Sequence, residues 1–575
     1  MSILANLRSA KNIHDLAKII GYKPKALAYI IYRLPEAIKY YQFSISKQSG
    51  GYRIINAPSE KLKKLQKSIT NLLTDCLTEL DDLKKYTPFS HGFTKGRSIA
   101  TNAKSHKNRN WVLNFDIHDF FGSINYGRVR GILIKDRNFQ LDPKIATLIA
   151  QIACHRNALP QGSPVSPILS NIVTRPLDVR LLSLAKKYGF TYSRYADDIT
   201  FSSNKRDLPS KLASINENGN WKLSSEISDL LVRSGFGVNH QKTRLQYDRN
   251  RQTVTGLIVN KRINVPREYR KTVRSMVHRL VTTGSFFLSP AFETRTRNNK
   301  RIPDPLMQLQ GMLGYIDWID MFSESLISNH PLDEIKKQKR SKAYKLGELN
   351  SQEKTYRKFL FYSKFYAIKE PLIITEGKTD VDHLKIAIAQ LHDSYPDLIH
   401  TNKKIKFKIL PSTERRTYSL LGITGGTANL NSFIRSYKKE TENFRLPFPS
   451  KPVIILVDND QGLQKLSKDI KKHLENNPFT PIHKNLYIAC IPLLDGKNAA
   501  AIEDLYDEDI RKIQINGKFF NPSNKNDNPD KYYGKTIFIQ KVIKENRQNI
   551  DFNGFKPLFD RLVSIIKEHE KLYIT

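Results

Sequence analysis

Two neighbouring aspartates, Asp197 and Asp198, interrupt the stretch "YSRYADDITFS" at residues 192–202, and a third, Asp116, closes the apolar run in "VLNFDIHDFF". Two carboxylates 4 Å apart repel by up to ~4 kcal/mol at an effective dielectric of 20, so gathering these acids opposes folding unless cations join them. Two Mg²⁺ ions would remove the conflict and supply what phosphoryl transfer needs, an activated hydroxyl and stabilisation of the charge of an in-line displacement. A second acidic set lies far along the chain. Glu376 follows the apolar "PLIIT", Asp380 comes four residues later, and Asp458 and Asp460 follow "VIILV". In extended backbone, Asp458 and Asp460 face the same way and can share one cation. Isolated Asp pairs are commonly polar turns, so the weight rests on the elements around them.

Phe190, Tyr192, Ile199 and Phe201 alternate with polar residues like paired strands, which puts Asp197 and Asp198 at the tip of a hairpin. Residues 1–40 read as amphipathic helices from the spacing of Leu4, Leu7, Ile13, Leu16 and Ile20. Residues 41–260 mix short strands, turns and helices in an α+β pattern. Helical patterning returns over 261–330, and 331–370 is charged, then aromatic, as in a helical linker. Over 371–510, apolar strands ("PLIITEG", "FKIL", "LGITGG", "KPVIILVDND") alternate with helices, the pattern of a parallel sheet covered on both faces. The strand C-terminal ends of such a sheet form its active crevice, where Glu376, Asp458 and Asp460 would meet. Residues 511–575 close with an amphipathic helix and carry no assignable chemistry. The expected fold class is multidomain, α+β followed by α/β.

Lys+Arg is 94 against Asp+Glu 55, a net +39 that favours a polyanionic partner through counterion release. Nucleic acid is the default, and 39% hydrophobic content excludes a disordered chain. Cys76, Cys154 and Cys490 are odd in number and widely spaced, fitting neither a disulfide framework nor a zinc site. No stretch of about 18 apolar residues occurs. The expectation is a cytoplasmic protein outside the membrane.

At these residues the sequence resembles a reverse transcriptase, specifically the retron-type enzymes of bacteria. "YADD" at 195–198 and "FDIHDFF" at 115–121 are similar to the family's catalytic hairpin and first catalytic strand. The resemblance implies a right-hand polymerase with fingers and palm over 41–260 and a helical thumb over 261–330, where "MLGYIDWI" at 312–319 and basic faces would grip RNA. It implies that Asp116, Asp197 and Asp198 hold two Mg²⁺ ions. "LPQGSPVSPILSN" at 159–171 places Gln161 near the incoming nucleotide. "SGGYRIINAP" at 49–58 places Arg53, with Lys47 just before it, on the triphosphate, and "GFGVNHQKT" at 235–243 adds Lys242. Phe121 would gate against the ribose 2′-OH and select dNTPs. "NAKSH" and "VTG" resemble retron hallmarks, which makes Asn102, His106, Val254, Thr255 and Gly256 candidate RNA contacts. Such enzymes bind their own noncoding RNA, prime from the 2′-OH of a guanosine and make branched RNA-linked single-stranded DNA, or msDNA. No segment reads as RNase H, so template removal would rest with a host RNase H.

Residues 371–510 resemble a TOPRIM domain, a Rossmann-like parallel-sheet fold of topoisomerases, primases and OLD-family nucleases. By that likeness Glu376 is a general acid/base or metal ligand, Asp458 and Asp460 bind Mg²⁺, and Asp380 assists a second ion. "GITGGT" at 422–427 would be its glycine-bearing strand and turn, and "IEDLY" at 502–506 a late acidic motif. The combined expectation is a retron reverse transcriptase fused to a Mg²⁺-dependent nuclease effector in antiphage defence, with its nucleic-acid target and oligomeric state open. Two alternatives stand beside it: an RNA-bound polymerase with an inactive TOPRIM scaffold, and a group II intron-like or diversity-generating reverse transcriptase.

Overall fold

The computed structural model describes residues 2–46, 51–83, 89–206, 212–215, 217, 219, 221–288, 304–410, 415–423, 426–459, 466–493, 498–522 and 528–574. Lys47 and Asp460 lie outside them. The chain forms two compact units, one built by residues up to Tyr269, the other by Arg270–Phe287 and the chain beyond residue 303.

In the first unit, strands β1 (Tyr40–Ser46) and β2 (Tyr52–Pro58) pair as an antiparallel ribbon. Helix α1 (Glu60–Asp82) follows, its buried Leu62, Leu65, Ile69, Leu72, Leu73, Cys76 and Leu80 recurring every three or four residues. The short N-terminal helices bury Leu4, Leu7, Leu16 and Leu27 in the same core. Helix α2 (Ile99–Ser105) leads into β3 (Trp111–His118), and α3 (Ser166–Tyr188) leads into β4 (Thr191–Tyr195), β5 (Asp198–Ser203) and later β6 (Gly237–Tyr247). These strands form an antiparallel sheet in the order β4-β5-β3-β6. Strand β3 is buried over its first seven residues, which is why it reads as a continuous apolar run rather than an alternation.

The second unit begins with helix α4, which spans Arg267–Thr283 across the boundary, and continues with α5 (Pro305–Ser328) and α6 (Ser351–Phe361). Its sheet contains β7 (Leu372–Thr375), β8 (Lys408–Leu410), β9 (Val453–Val457), β10 (Phe479–His483) and β11 (Leu486–Cys490) in the order β8-β7-β9-β11-β10. All pairs are parallel except the edge pair of β10 and β11. Strands β7, β9 and β11 are buried throughout, as expected for parallel strands covered on both faces. Helices at Asp380–Gln390 (α7) and Lys556–Ile574 (α8) contribute Leu384, Ile388, Leu558, Phe559 and Leu562 to one shared core.

Three expectations need correction. Residues 331–370 are no linker, because Tyr356, Arg357, Phe359 and Phe361 are buried and Phe361 and Phe365 stack in a ring cluster with Phe433 and Tyr437. "MLGYIDWI" faces inward, with Met312, Leu313, Ile316, Asp317 and Ile319 buried and Asp317 paired to Arg416 at 2.8 Å. Leu421–Ile423 do not open a strand. Leu421 ends a helix that Gly422 caps at φ +77°, and residues 424 and 425 lie outside the described residues.

Candidate functional site

Register alone brings the first three acids together. Asp116 of β3 pairs directly with Asp198 of β5, and Tyr195 pairs with Asp198 across the two-residue tip of Ala196 and Asp197. The Ile117 amide donates to the Asp197 carbonyl at 3.0 Å, which pins the tip against β3. Between Asn239 and Arg244 the pairing of β6 with β3 shifts register, and the extra residues include Lys242. Its Nζ lies 2.8 Å from Asp116 Oδ2. Burial, then the Asp116 charge, hold the Asp197 carboxyl above its usual range. Asp198 opens β5 with its residue surface exposed, yet the protein crowded around its carboxyl partly desolvates it, and this together with the charges of Asp197 and Asp116 pushes it up to about 7. Burial pulls Lys242 down, but its bond to Asp116 and the other two acids reverse this and raise it.

The second acidic set also converges. Parallel strands β7 and β9 end side by side, with Thr375 paired to Leu456, so Glu376 and Asp458 leave the sheet at the same edge. With Asp380, Lys378 and Lys535 they line a cleft of about 580 Å³. The Gly377 amide donates to Asp380 Oδ2 at 2.8 Å, and a Cβ on Gly377 would stand 2.5 Å from Asp380 Oδ1, so "EGKTD" needs its glycine for this close approach. Buried Glu503 receives Lys535 Nζ at 2.9 Å on Oε1 and 3.0 Å on Oε2. Burial, Asp380, Glu503 and Glu376 push the Asp458 carboxyl up to about 8 against the opposing pull of Lys535. Nothing in the sequence singles out Lys535. It comes from the C-terminal residues 511–575, whose Tyr533, Phe538, Ile539 and Val542 belong to the core under the sheet.

Among the described residues, no group of three or more His, Cys, Asp or Glu side chains forms a ready cage for a metal ion. Both clusters nevertheless fit a hard divalent cation in chemistry, because their donors are carboxylate oxygens, and desolvation, then the neighbouring carboxylates, hold Asp198 and Asp458 above the usual range.

The family model described as reverse transcriptase (RNA-dependent DNA polymerase) matches residues 45–274. Retron Mx65 reverse transcriptase of Myxococcus xanthus is 36% identical over 281 residues, 46% of this chain and 62% of that one. Retron Mx162 reverse transcriptase of the same organism is 31% identical over 328 residues, 53% of this chain and 63% of that one. Retron Ec86 reverse transcriptase of Escherichia coli is 30% identical over 270 residues, which cover 47% of this chain and 78% of that protein. The chain belongs to the retron reverse transcriptases. It spans 62% and 63% of the length of the two Myxococcus relatives.

Within this retron reverse transcriptase, the remaining expected site residues separate into surface and core. Arg53 stands exposed on β2, and the Asn56 amide of the same strand donates to the Gln161 carbonyl at 2.9 Å, bringing the two motifs together. Phe120 is core, whereas Phe121 is half-buried and faces Phe93 at 6.3 Å. Asn102 and His106 are fully buried. The two ring nitrogens of His106 meet Ser202 Oγ and Ser193 Oγ at 2.7 Å each, and Ser193 donates to Asn102 Oδ1 at 2.6 Å. Burial also lowers the His106 pKa to about 3, keeping the ring neutral. These side chains brace β4 and β5 from behind the acidic tip. Val254 is buried as well, so the expectation that Asn102, His106 and Val254 touch RNA is corrected. Thr255 and Gly256 form the turn of a small hairpin with φ +46° and +82°, and the Thr255 hydroxyl donates to the Ile99 carbonyl of α2 at 3.2 Å. The "VTG" turn therefore packs on the helix that carries most of "NAKSH". No helix among the described residues is long and apolar enough to cross a membrane.

Proposed function

We propose that the first unit is an RNA-directed DNA polymerase that copies part of a cognate structured noncoding RNA into msDNA, starting from a guanosine 2′-OH. The observation that carries this reading is the meeting of Asp116, Asp197 and Asp198 at the hairpin tip with Lys242 across from them. Asp116, Asp197 and Asp198 would hold Mg²⁺, which when bound activates the attacking hydroxyl and stabilises charge on the phosphoryl group. Arg53, Lys242 and Lys47 would bind the triphosphate, Gln161 would lie against the nucleotide and Phe121 would exclude a ribose. The Thr255–Gly256 turn, with Gly256 exposed, is the hallmark segment left to contact RNA, and host RNase H would remove template. Copurified nucleic acid, sequenced before and after debranching, tests the reading: unbranched DNA, or none, would refute it.

The helices of 261–330 are proposed as the polymerase thumb, and residues 371–510, within the second unit, as a TOPRIM effector, a Mg²⁺-dependent nuclease serving antiphage defence. Supporting it are the parallel β7 and β9 with Glu376, Asp380 and Asp458 at one end, and the buried Glu503 alongside. Glu376 would move a proton, while Asp380, Asp458 and Asp460 would hold Mg²⁺. Incubation of the RNA-DNA-loaded protein with Mg²⁺ and DNA, RNA or tRNA tests this, because an inactive scaffold cuts none of them.

A further inference from the structure

The turn that carries Asp197 and Asp198 does not support itself. Ala196 sits at φ +56°, the left-handed region that side chains disfavour, directly before the two acids. Beneath it lies Arg194, a charged side chain with no exposure at all. Its Nε and Nη2 donate to Asp178 Oδ1 and Oδ2 of α3 at 2.7 Å each. Its Nη1 donates to the Ala196 carbonyl at 2.9 Å and to Asn171 Oδ1 at 3.3 Å. Tyr192 supports the same carboxylate, donating its hydroxyl to Asp178 Oδ1 at 2.6 Å. Asn171, the last residue of "LPQGSPVSPILSN", donates through Nδ2 to the Gly92 carbonyl at 2.9 Å. Gly92 lies so close to the tip that a Cβ there would stand 2.7 Å from the Ala196 nitrogen.

A buried ion pair is weak support for stability, since apolar side chains of similar volume commonly replace one without loss. The fork of Arg194 has a different output: it joins helix α3 to the carbonyl of Ala196, the residue with left-handed backbone. We propose that Arg194, oriented by Asp178 and Asn171, is a positioning residue that holds Ala196 left-handed and so sets where the Asp197 and Asp198 carboxylates stand. This rests on the polymerase reading of the same turn.

The test is steady-state incorporation of dTTP on poly(rA) primed with oligo(dT), in Mg²⁺, by the full chain and by the paired variant Arg194→Met, Asp178→Leu. Because the apolar pair removes both charges but leaves the Tyr192 hydroxyl, Asn171 Oδ1 and the Ala196 carbonyl without these partners, the variant is expected to fold with a lowered melting midpoint, lose about 10²-fold in kcat through misplaced carboxylates and hold its dTTP KM within about twofold. A folded variant with wild-type kcat overturns the proposal. So does a loss confined to KM. Should the pair fail to fold, Arg194→Lys decides, since lysine keeps a charge against Asp178 but lacks the planar fork that bonds both Asp178 oxygens and the Ala196 carbonyl from separate nitrogens. It is expected to fold with kcat still reduced, and wild-type kcat there overturns the clamp. If the unaltered protein incorporates nothing, the polymerase reading itself fails and takes the clamp with it.

Discussion

The two acid clusters are neutralised in opposite ways. At the hairpin tip, Lys242 is 59% exposed and reaches one oxygen of Asp116 from the surface. In the second unit, Lys535 is only 25% exposed, donates to Oε2 of Glu503 and lies at ion-pair distance from its Oε1, the glutamate itself being 3% exposed. The first arrangement is an open basin whose cation can leave for a substrate. The second is a closed charge system in which one lysine is part of the fold. An open site recruits phosphate from solvent, whereas a closed one admits chemistry only along its cleft.

The largest effect that would break this contrast is loss of a carboxylate at the open site. Asp197→Asn should lower nucleotide incorporation on the order of 10³-fold, several kcal/mol of transition-state stabilisation at about 1.4 kcal/mol per decade, with the melting midpoint unchanged or raised. Primer extension alongside a melting curve checks both. Glu376→Ala in the other unit should leave that extension rate within about twofold while ending Mg²⁺-dependent cleavage of nucleic acid. Cleavage that survives Glu376→Ala removes the effector reading without touching the polymerase.

Next in size is the closed pair. Lys535→Met leaves Glu503 charged and buried with no lysine, a loss of about 3–5 kcal/mol expected in the second unit. Adding Glu503→Gln should return most of it. Urea unfolding followed by hydrogen exchange at residues 502–506 reads the difference, and an unchanged midpoint for the single variant would show that the pair is not closed.

How far the sequence carries depends on whether a residue's partner lies nearby in the chain. The first site was legible because strand alternation, the continuous apolar β3 and a two-residue tip are local patterns, and β pairing then fixes which acids meet. Glu376 and Asp458 were legible for a related reason, since each directly follows an apolar strand. His106 was misjudged because the serines that bury it are 87 and 96 residues away, and a short motif carries no record of them. Within residues 331–370, scattered lysines mask an aromatic stripe, Tyr356, Phe359, Phe361 and Phe365, that is in fact core. Gly422, expected within a strand, is instead a helix cap, a choice that tertiary packing decides. Lys535 had no local signal of any kind.

Acidity offers a subtler comparison. Asp198 and Asp458 are held at about 7 and about 8, above the ordinary carboxylate range near 3.9. The folded state therefore binds these protons more tightly than the unfolded chain. Their contribution to stability is full below about pH 4 and is lost as pH rises through 7 and 8. Without divalent cations the melting midpoint should fall over that window, Asp458→Asn should flatten its upper part, and Mg²⁺ should raise the midpoint more at pH 8 than at pH 5. An equal Mg²⁺ effect at both values would mean that the cation binds elsewhere.

The smallest expected effect is the sharpest test of the openness of the first site. Because Lys242 is mostly solvated, its ion pair with Asp116 should contribute no more than about 1 kcal/mol, and Lys242→Ala should leave the unfolding midpoint nearly unchanged. If Lys242 faces the triphosphate as proposed, its weight should appear in the dNTP KM. The two lysines thus differ in kind: removing Lys535 is read as unfolding, removing Lys242 as weakened substrate binding. A stability loss for Lys242→Ala approaching that of Lys535→Met would erase the distinction, because it would make the ammonium a structural element of the tip rather than a cation available to substrate.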